Sequence, residues 1–408
     1  MLRLIKKKEF IYIAVLFASL IVSFYLNEDS LGGATSDFYS NFERSEYLKN
    51  NFFNENLDYS FLNTRHSPFF FLYSSLILSI VQIEKIFRFL HLIIPILIFF
   101  YFLKSLKLKF ENIDESKLIL ISSIVFISPT VRSYSIWIDS YLIGLLFFII
   151  AIYNFLKFKK YRLTKFIFFN IFFLSLASYF MPTFSPFSIY FFFYFFREFF
   201  LISKNYYILS LIILFNLILS APALFYVFNV HNFILSTGEW GLYEKTFSIL
   251  NISNKFFLSS NIIFFYLIPF LYYFFQSKNF SLISENKYFL VFLFSIYLLA
   301  YTQVNYDNIY LNLSGGGILY ILFDRMLGLP LLQITTISLF VLLIVFTFKK
   351  NFFNILIILI LIFSNIQLTI YHNYFDPLTY ILIFTLVNNE KLFNIIFNNN
   401  KNIYSLII

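Results

Sequence analysis

Residues 68–83 read PFFFLYSSLILSIVQI. The stretch is apolar, but a crossing needs about 20 residues of helix and this one has only 16. If it crosses a membrane, the basic segment KSLKLKFENIDESK (residues 104–117) falls on the outside and every later loop inverts. If it lies as a half-buried helix at the surface, the basic loops all fall on one side. The excess of Lys and Arg in cytoplasmic loops favours the second arrangement. Pro68 then fits the first turn of that helix, and Ser67 fits its cap.

The rest of the chain has the same character. Of 408 residues, 60% are hydrophobic and only 12% are charged, against about 25% in a soluble domain. Long apolar runs recur throughout. The fold class expected is all-α, a polytopic transmembrane helical bundle. Barrel strands are excluded, because they alternate over about 10 residues and these runs are apolar on every side. The spans fall near 9–26, 86–103, 118–130, 140–156, 166–180, 187–203, 206–227, 257–275, 288–303, 330–348, 352–371 and 378–388. That is about twelve crossings with both termini cytoplasmic.

This arrangement places 21 of the 30 lysines and arginines inside and 14 of the 21 acids outside. The outer loops are 27–85, 131–139, 181–186, 228–256, 304–329 and 372–377. They hold both tryptophans, Trp137 and Trp240, and every glycine except Gly144. The longest inner loop has about 14 residues, so no soluble domain is expected on either side. Residues 1–26 resemble a signal peptide, with Arg3, Lys6, Lys7 and Lys8 before an apolar stretch. No small-residue cleavage site follows Leu26, so they read as a retained first span. The net charge of +9 follows the membrane rule and does not point to nucleic acid. The absence of cysteine excludes disulfides and thiolate chemistry.

No phosphate-binding glycine loop and no HExxH motif is present. The four histidines, His66, His91, His231 and His372, are scattered. Ionisable residues are scarce in the middles of the spans, which weighs against an ion-coupled transporter. Chemistry is therefore expected at the outer surface, on a membrane-soluble substrate.

Three places carry candidates. Residues 27–67, NEDSLGGATSDFYSNFERSEYLKNNFFNENLDYSFLNTRHS, hold seven acids, a third of the chain's total. Among them Asp37 follows the GGATS stretch, about ten residues past the first span. It reads either as a general base on an acceptor hydroxyl or as a solvated loop acid. In the second outer segment, Pro129 ends one span and Asp139 opens the next. Arg132 lies two helical turns before Asp139 if the segment is helical, and Trp137 fits an interface anchor. Arg132 suits a lipid phosphate and Asp139 a substrate or metal; the alternative is an acid at a helix N-terminus beside an aromatic belt. Arg65 and His66 precede the half-buried helix, where they suit a phosphate or simply flank its start. Weaker signals are the glycine triplet Gly315–Gly317, Glu239 and Glu244 beside Trp240, and the outer turn with His372 and Asp376.

Together these segments resemble the GT-C superfamily, polytopic glycosyltransferases that use polyprenyl-phosphate-linked sugars. The resemblance rests on Ser36-Asp37-Phe38-Tyr39 soon after span one and on Arg65-His66-Ser67-Pro68 before three phenylalanines. It also rests on Ser128-Pro129 followed by Arg132, Trp137 and Asp139. It covers about residues 10–160, an N-terminal module with two outer loops; residues 161–408 are a variable set of transmembrane helices that match in topology alone. The second acid stands alone as Ile138-Asp139-Ser140, so a paired-acid metal site is not supported, and no cofactor is expected.

The resemblance implies an inverting transfer at the outer face of a bacterial cytoplasmic (inner) membrane, in surface-glycan biosynthesis. Asp37 would act on the acceptor, and Arg65, Arg132 or Arg325 would stabilise the leaving polyprenyl phosphate. Substrate binding would draw on Asp139, Arg132, Arg65, His66 and Arg325. The partners implied are a polyprenyl-phosphate-linked sugar, a glycan, glycolipid or protein acceptor, and membrane lipids. Two other functions fit the same topology. One is an O-antigen-type polymerase that joins lipid-linked repeats through outer arginines; the other is a glycolipid flippase or transporter.

Overall fold

A computed structural model describes residues 7–51, 68–226, 228, 249–276, 281–304, 315–348, 351–365, 370–398 and 403. Arg65, His66, Glu239 and Glu244 lie outside the described residues, as does the side chain of Arg325. The described residues are helical with no strand. Among the described residues five helices are long and apolar enough to cross a membrane: Glu84–Lys109, Ser140–Tyr161, Tyr206–Phe225, Ile252–Gln276 and Pro330–Phe348. Two bent pairs raise the number to seven if each is one span. Such a set fits a helical membrane protein. Several other apolar helices are shorter, and a 16-residue helix rises about 24 Å against a hydrocarbon thickness of about 30 Å.

The chain folds as two compact units, 1–234 and 235–408. In the first, α1 (Lys7–Tyr25) leads through a turn to α2 (Ala34–Asn51). The decisive stretch forms α3 (Pro68–Val81), with Pro68 in its first turn. At 14 residues it rises about 21 Å and does not reach across a bilayer. One face is buried, with Phe70, Phe71, Ser74, Ser75 and Leu78, while Leu76 and Ile80 stand exposed on the other. A short helix with one buried face thus forms at the expected place, and it packs on α2.

Gln82, in the left-handed region at φ 57°, turns the chain into α4 (Glu84–His91) and α5 (Ile93–Lys109). Next come α6 (Glu115–Ser122), α7 (Ile124–Ile127), α8 (Pro129–Ile136) and α9 (Ser140–Tyr161). Ser128 Oγ caps α8 by accepting from Val131 N at 3.1 Å, with Pro129 at the first helical position. The expected two-turn spacing from Arg132 to Asp139 is not observed. The chain leaves the helix at Trp137 (φ −110°, ψ 96°) and is extended at Asp139 (φ −132°, ψ 154°).

Helix α9 is the centre of the unit, packed between α5 and α10 (Lys165–Phe180). Gly144 lets the chain after α10 come close. A Cβ there would lie 3.0 Å from both Met181 Cβ and Phe184 Cε2. Small residues permit such approach where water supplies no driving force between helices. Phe148 then stacks on Phe184 at 4.9 Å. Helices α11 (Phe187–Phe196) and α12 (Tyr206–Phe225) complete the unit.

In the second unit the helix Ile249–Gln276 packs on Lys287–Thr302 and Pro330–Phe348. Phe256 stacks on Tyr297 at 4.4 Å, and Gln333 Nε2 donates to Asn261 Oδ1 at 2.7 Å in the buried interior. Asparagines tie the later turns together. Asn354 Nδ2 donates to Phe348 O (2.6 Å) and Asn388 O (3.1 Å), and its Oδ1 accepts from Asn388 N (3.0 Å). Asn389 Nδ2 donates to Phe346 O and Thr347 O. The carbonyls of Phe346, Thr347 and Phe348 end a helix and have no partner inside it, so side-chain amides satisfy them.

Candidate functional site

The polar residues of the first unit gather at the C-terminal end of α1, and the turn after that helix organises them. Asn27 takes a left-handed conformation (φ 53°), which asparagine tolerates, and Glu28 N reaches back to Ser23 O at 3.0 Å. This closes α1 and aims Glu28 at α8. Arg132 grips it with both arms: Nε donates to Oε1 at 2.9 Å and Nη2 to Oε2 at 2.7 Å. The same guanidinium donates to Ser19 Oγ, Ser23 Oγ and Phe126 O. The bonds from Arg132, opposed by partial burial and helped by Ser23, hold the Glu28 carboxyl down at about 2.

Asp29 serves the next helix. Its Oδ1 accepts from Gly32 N (3.0 Å) and Ala34 N (3.2 Å), and its Oδ2 from Thr35 N (3.1 Å) and Thr35 Oγ1 (3.0 Å). Burial raises its carboxyl, but these donors outweigh burial and leave it below the usual range. Ser30 and Leu31 fasten the turn to α8 through Ser133 Oγ, each at 3.0 Å.

Trp137 is not an interface anchor. Only 4% of it is exposed, because its ring faces inward and its Nε1 donates to Glu28 O at 3.0 Å. Arg88 lies flat on that ring, with Cζ 3.6 Å from the ring centre. Arg88 Nε donates to Ile136 O (2.9 Å), Nη1 to Glu84 Oε1 (3.3 Å) and Nη2 to Asn27 Oδ1 (3.1 Å). A guanidinium has five N–H donors, so two remain without an acceptor among the described residues.

Beside this stack opens a cavity of about 700 Å³, lined by Phe24, Tyr25, Asn27, Thr35, Tyr39, Ile83, Glu84, Lys85, Arg88 and Trp137. Lys85 stands over the Tyr25 ring at 5.7 Å. The cavity offers an ammonium, a partly used guanidinium, an indole face and the hydroxyls of Tyr25, Thr35 and Tyr39, with the Glu84 carboxylate beside the guanidinium. That combination suits an anionic head group carrying a ring that can stack.

The candidates read from the sequence fare differently. Arg132 is committed to Glu28 and two serines rather than standing open to a phosphate. Asp139 is buried and caps α9, its Oδ1 accepting from Tyr141 N at 2.7 Å. Asp37 is exposed in the first turn of α2, a helix rather than a loop. It lies two residues from Thr35 and two from Tyr39, about 200° around the helix, and is absent from the cavity wall. Arg325 belongs to the second unit, in the π-helical turn Ile321–Met326. The glycine triplet there is a packing device. Gly317 (φ 86°) lies against Ile262, Gly316 N bonds Ile370 O at 2.9 Å, and Ile318 N donates to His372 Nε2 at 3.0 Å. Among the described residues no three His, Asp or Glu side chains converge as a metal would need.

Glu84, Lys85 and Arg88 were missed in the sequence. Their signal was an ionisable residue inside an apolar run with an acid four residues before it. No protein-family model matches this chain, and neither does any curated protein or solved structure.

Proposed function

We propose that the protein is an integral-membrane glycosyltransferase of the GT-C kind, moving a sugar from a polyprenyl-phosphate donor to an acceptor hydroxyl. The observation that carries this reading is the cavity on Arg88, Lys85 and Trp137 at the end of α1. Under the charge-based orientation, with about twelve crossings and both termini cytoplasmic, it opens at the outer face. Lys85 and the two spare donors of Arg88 meet the donor's phosphate, and the Trp137 and Tyr39 rings border the sugar. The acceptor oxygen attacks the anomeric carbon, the bond from that carbon to the phosphate oxygen breaks, and the phosphate leaves with the electron pair. The acceptor's proton passes to a carboxylate, either Asp37 on the exposed flank of α2 or Glu84 on the cavity wall. No nucleotide or metal enters the reaction as written.

Mass spectrometry of the host's glycans and lipid-linked intermediates tests this. Lys85→Gln and Arg88→Gln, at normal expression, are expected to deplete one glycan and accumulate its lipid-linked precursor. Asp37→Asn and Glu84→Gln decide which carboxylate acts. An unchanged profile in both cation variants sinks the proposal.

A second reading is favoured by the cations on the cavity wall, where Asp37 is absent. It is a polymerase that joins lipid-linked repeats. Its signature is loss of product in the Arg88 variant, full activity in both carboxylate variants, and accumulation of single repeats on lipid.

A further inference from the structure

At the far end of unit 1 a second group of cations has a different character. Arg88 and Lys104 are 16 residues apart along the apolar helix Glu84–Lys109, about 24 Å of rise. Around the ends of α5 and α9 three cations have carboxylate partners. Lys107 pairs with Glu115, Lys160 with Glu111 at 2.8 Å, and Arg162 with Glu198 at 2.7 Å.

Lys104 and Lys157 have none among the described residues, and neither does Lys159; what sets the first two apart is that they share a ring. Both are half-buried, and among the described residues neither pairs with a carboxylate. They share one ring: Lys104 Nζ is 5.7 Å and Lys157 Nζ 4.7 Å from the centre of Tyr153. Phe100 (4.2 Å) and Tyr101 (5.2 Å) complete the bed of Lys104, and Phe166 (4.9 Å) that of Lys157. Ring faces attract an ammonium without cancelling its charge, and these two charges repel each other. The fold therefore holds these two half-buried cations against their repulsion, with no carboxylate partner for either among the described residues. An anion reached by both would relieve that.

We propose that Lys104, Lys157 and Tyr153 form a binding site for the phosphate headgroup of an anionic lipid. Each ammonium has three N–H donors, and the phosphate oxygens accept from both. The Tyr153 hydroxyl, which makes no hydrogen bond among the described residues, is a third donor. A lipid is favoured over a soluble anion by position. Two membrane-length apolar helices, Glu84–Lys109 and Ser140–Tyr161, end here, and Phe169 and Phe172 are exposed on α10 to meet acyl chains. This proposal is independent of the glycosyltransfer reading, since it involves none of the same residues.

Lipid titration of the purified full-length chain in a neutral detergent, followed by native mass spectrometry, tests it. The probes are dioleoyl phosphatidylglycerol, dioleoyl phosphatidylcholine and inorganic phosphate. Wild-type protein is expected to retain phosphatidylglycerol in preference to phosphatidylcholine. The double variant Lys104→Gln/Lys157→Gln is expected to bind it about thirtyfold more weakly, from the usual contribution of each lysine near an anionic surface. Lys104→Arg/Lys157→Arg and the remote Lys204→Gln are expected to stay within about twofold of wild type. Equal retention of the two lipids by wild type overturns the proposal whether or not the variants fold. So does unchanged phosphatidylglycerol binding in the glutamine variant. Competition by inorganic phosphate as strong as that by the lipid assigns the site to a soluble anion and overturns it as well.

Discussion

Substituting Arg132 tests how the cavity end is built. Arg132→Gln removes both bonds to Glu28 and the contacts to Ser19, Ser23 and Phe126 O. It leaves the carboxylate of Glu28 with no cation. Breaking a fully buried pair costs about 3–5 kcal/mol, and an exposed pair is worth about 0–1. Here the side chains are 19% and 26% exposed, so an intermediate cost of about 2–3 kcal/mol is expected. Glu28→Gln keeps the shape and one acceptor and should cost about 1–2 kcal/mol. The double variant should be less destabilised than the two singles combined, with a coupling of about 1–2 kcal/mol. The assay is resistance to unfolding in a denaturing-detergent titration, on the same protein in the same micelles.

Acidity provides a second axis for the same pair. The folded-state pKa of Glu28 is depressed to about 2 from an ordinary 4.5, so its contribution is fully present above the ordinary value. It is lost as pH falls from there through about 2. The stability difference between wild type and Glu28→Gln should therefore be constant from neutrality to about pH 5 and shrink below it. Additivity of the two substitutions within about 0.5 kcal/mol would refute the reasoning. So would a wild-type advantage that persists undiminished at the acid end.

Other outcomes follow from the packing. Gly317→Ala forces a side chain into the left-handed region and puts its Cβ 2.6 Å from Ile262 Cγ1, so a loss of more than about 2 kcal/mol is expected in thermal unfolding. Asn354→Ala removes an amide that bonds Phe348 O, Asn388 O and Asn388 N, and should cost about 2–3 kcal/mol; Asn354→Asp, which keeps only the acceptor, should recover a part. Asn112→Cys, in a chain without cysteine, should react with an impermeant maleimide only from the cytoplasmic side, and labelling from outside would overturn the charge-based orientation.

Local features were legible in the sequence. The apolar stretch opened by Ser67-Pro68 foretold α3, because caps and starts are settled within a few residues, whereas Pro129, read as the end of a span before an outer loop, instead opens α8. Asp139 read as an acid at a helix start, and it is the cap of α9. The break before it was hidden: Ile136-Trp137-Ile138 carries no Gly or Pro, and only the inward turn of Trp137 ends the helix there. The largest miss was the partner of Arg132. Glu28 lies 104 residues away, and nothing in seven neighbouring acids marks which one an arginine on a later helix will meet. Sequence position favoured Asp37, whereas the turn at Asn27 delivers Glu28 and Asp29 to structural duties instead.

Remaining bonding capacity separates builders from binders better than charge or position does. Arg132 directs its guanidinium to five acceptors, and Asp29 accepts from four donors; each holds backbone or another side chain in place. Arg88 is intermediate, fixed on Trp137 by three bonds yet left with two donors at a cavity wall. Among the described residues Lys85, Lys104 and Lys157 rest on rings alone and keep all their donors. A rigid scaffold around an unsaturated cation is what ligand binding needs, since positioning is then complete before the ligand arrives. Unit 1 provides this arrangement twice, at the two ends of the helix that runs from Glu84 to Lys109. At one end the cations share a cavity with hydroxyls and an indole, which suits a polar head that reacts. At the other they share only rings beside apolar helices, which suits a headgroup that stays.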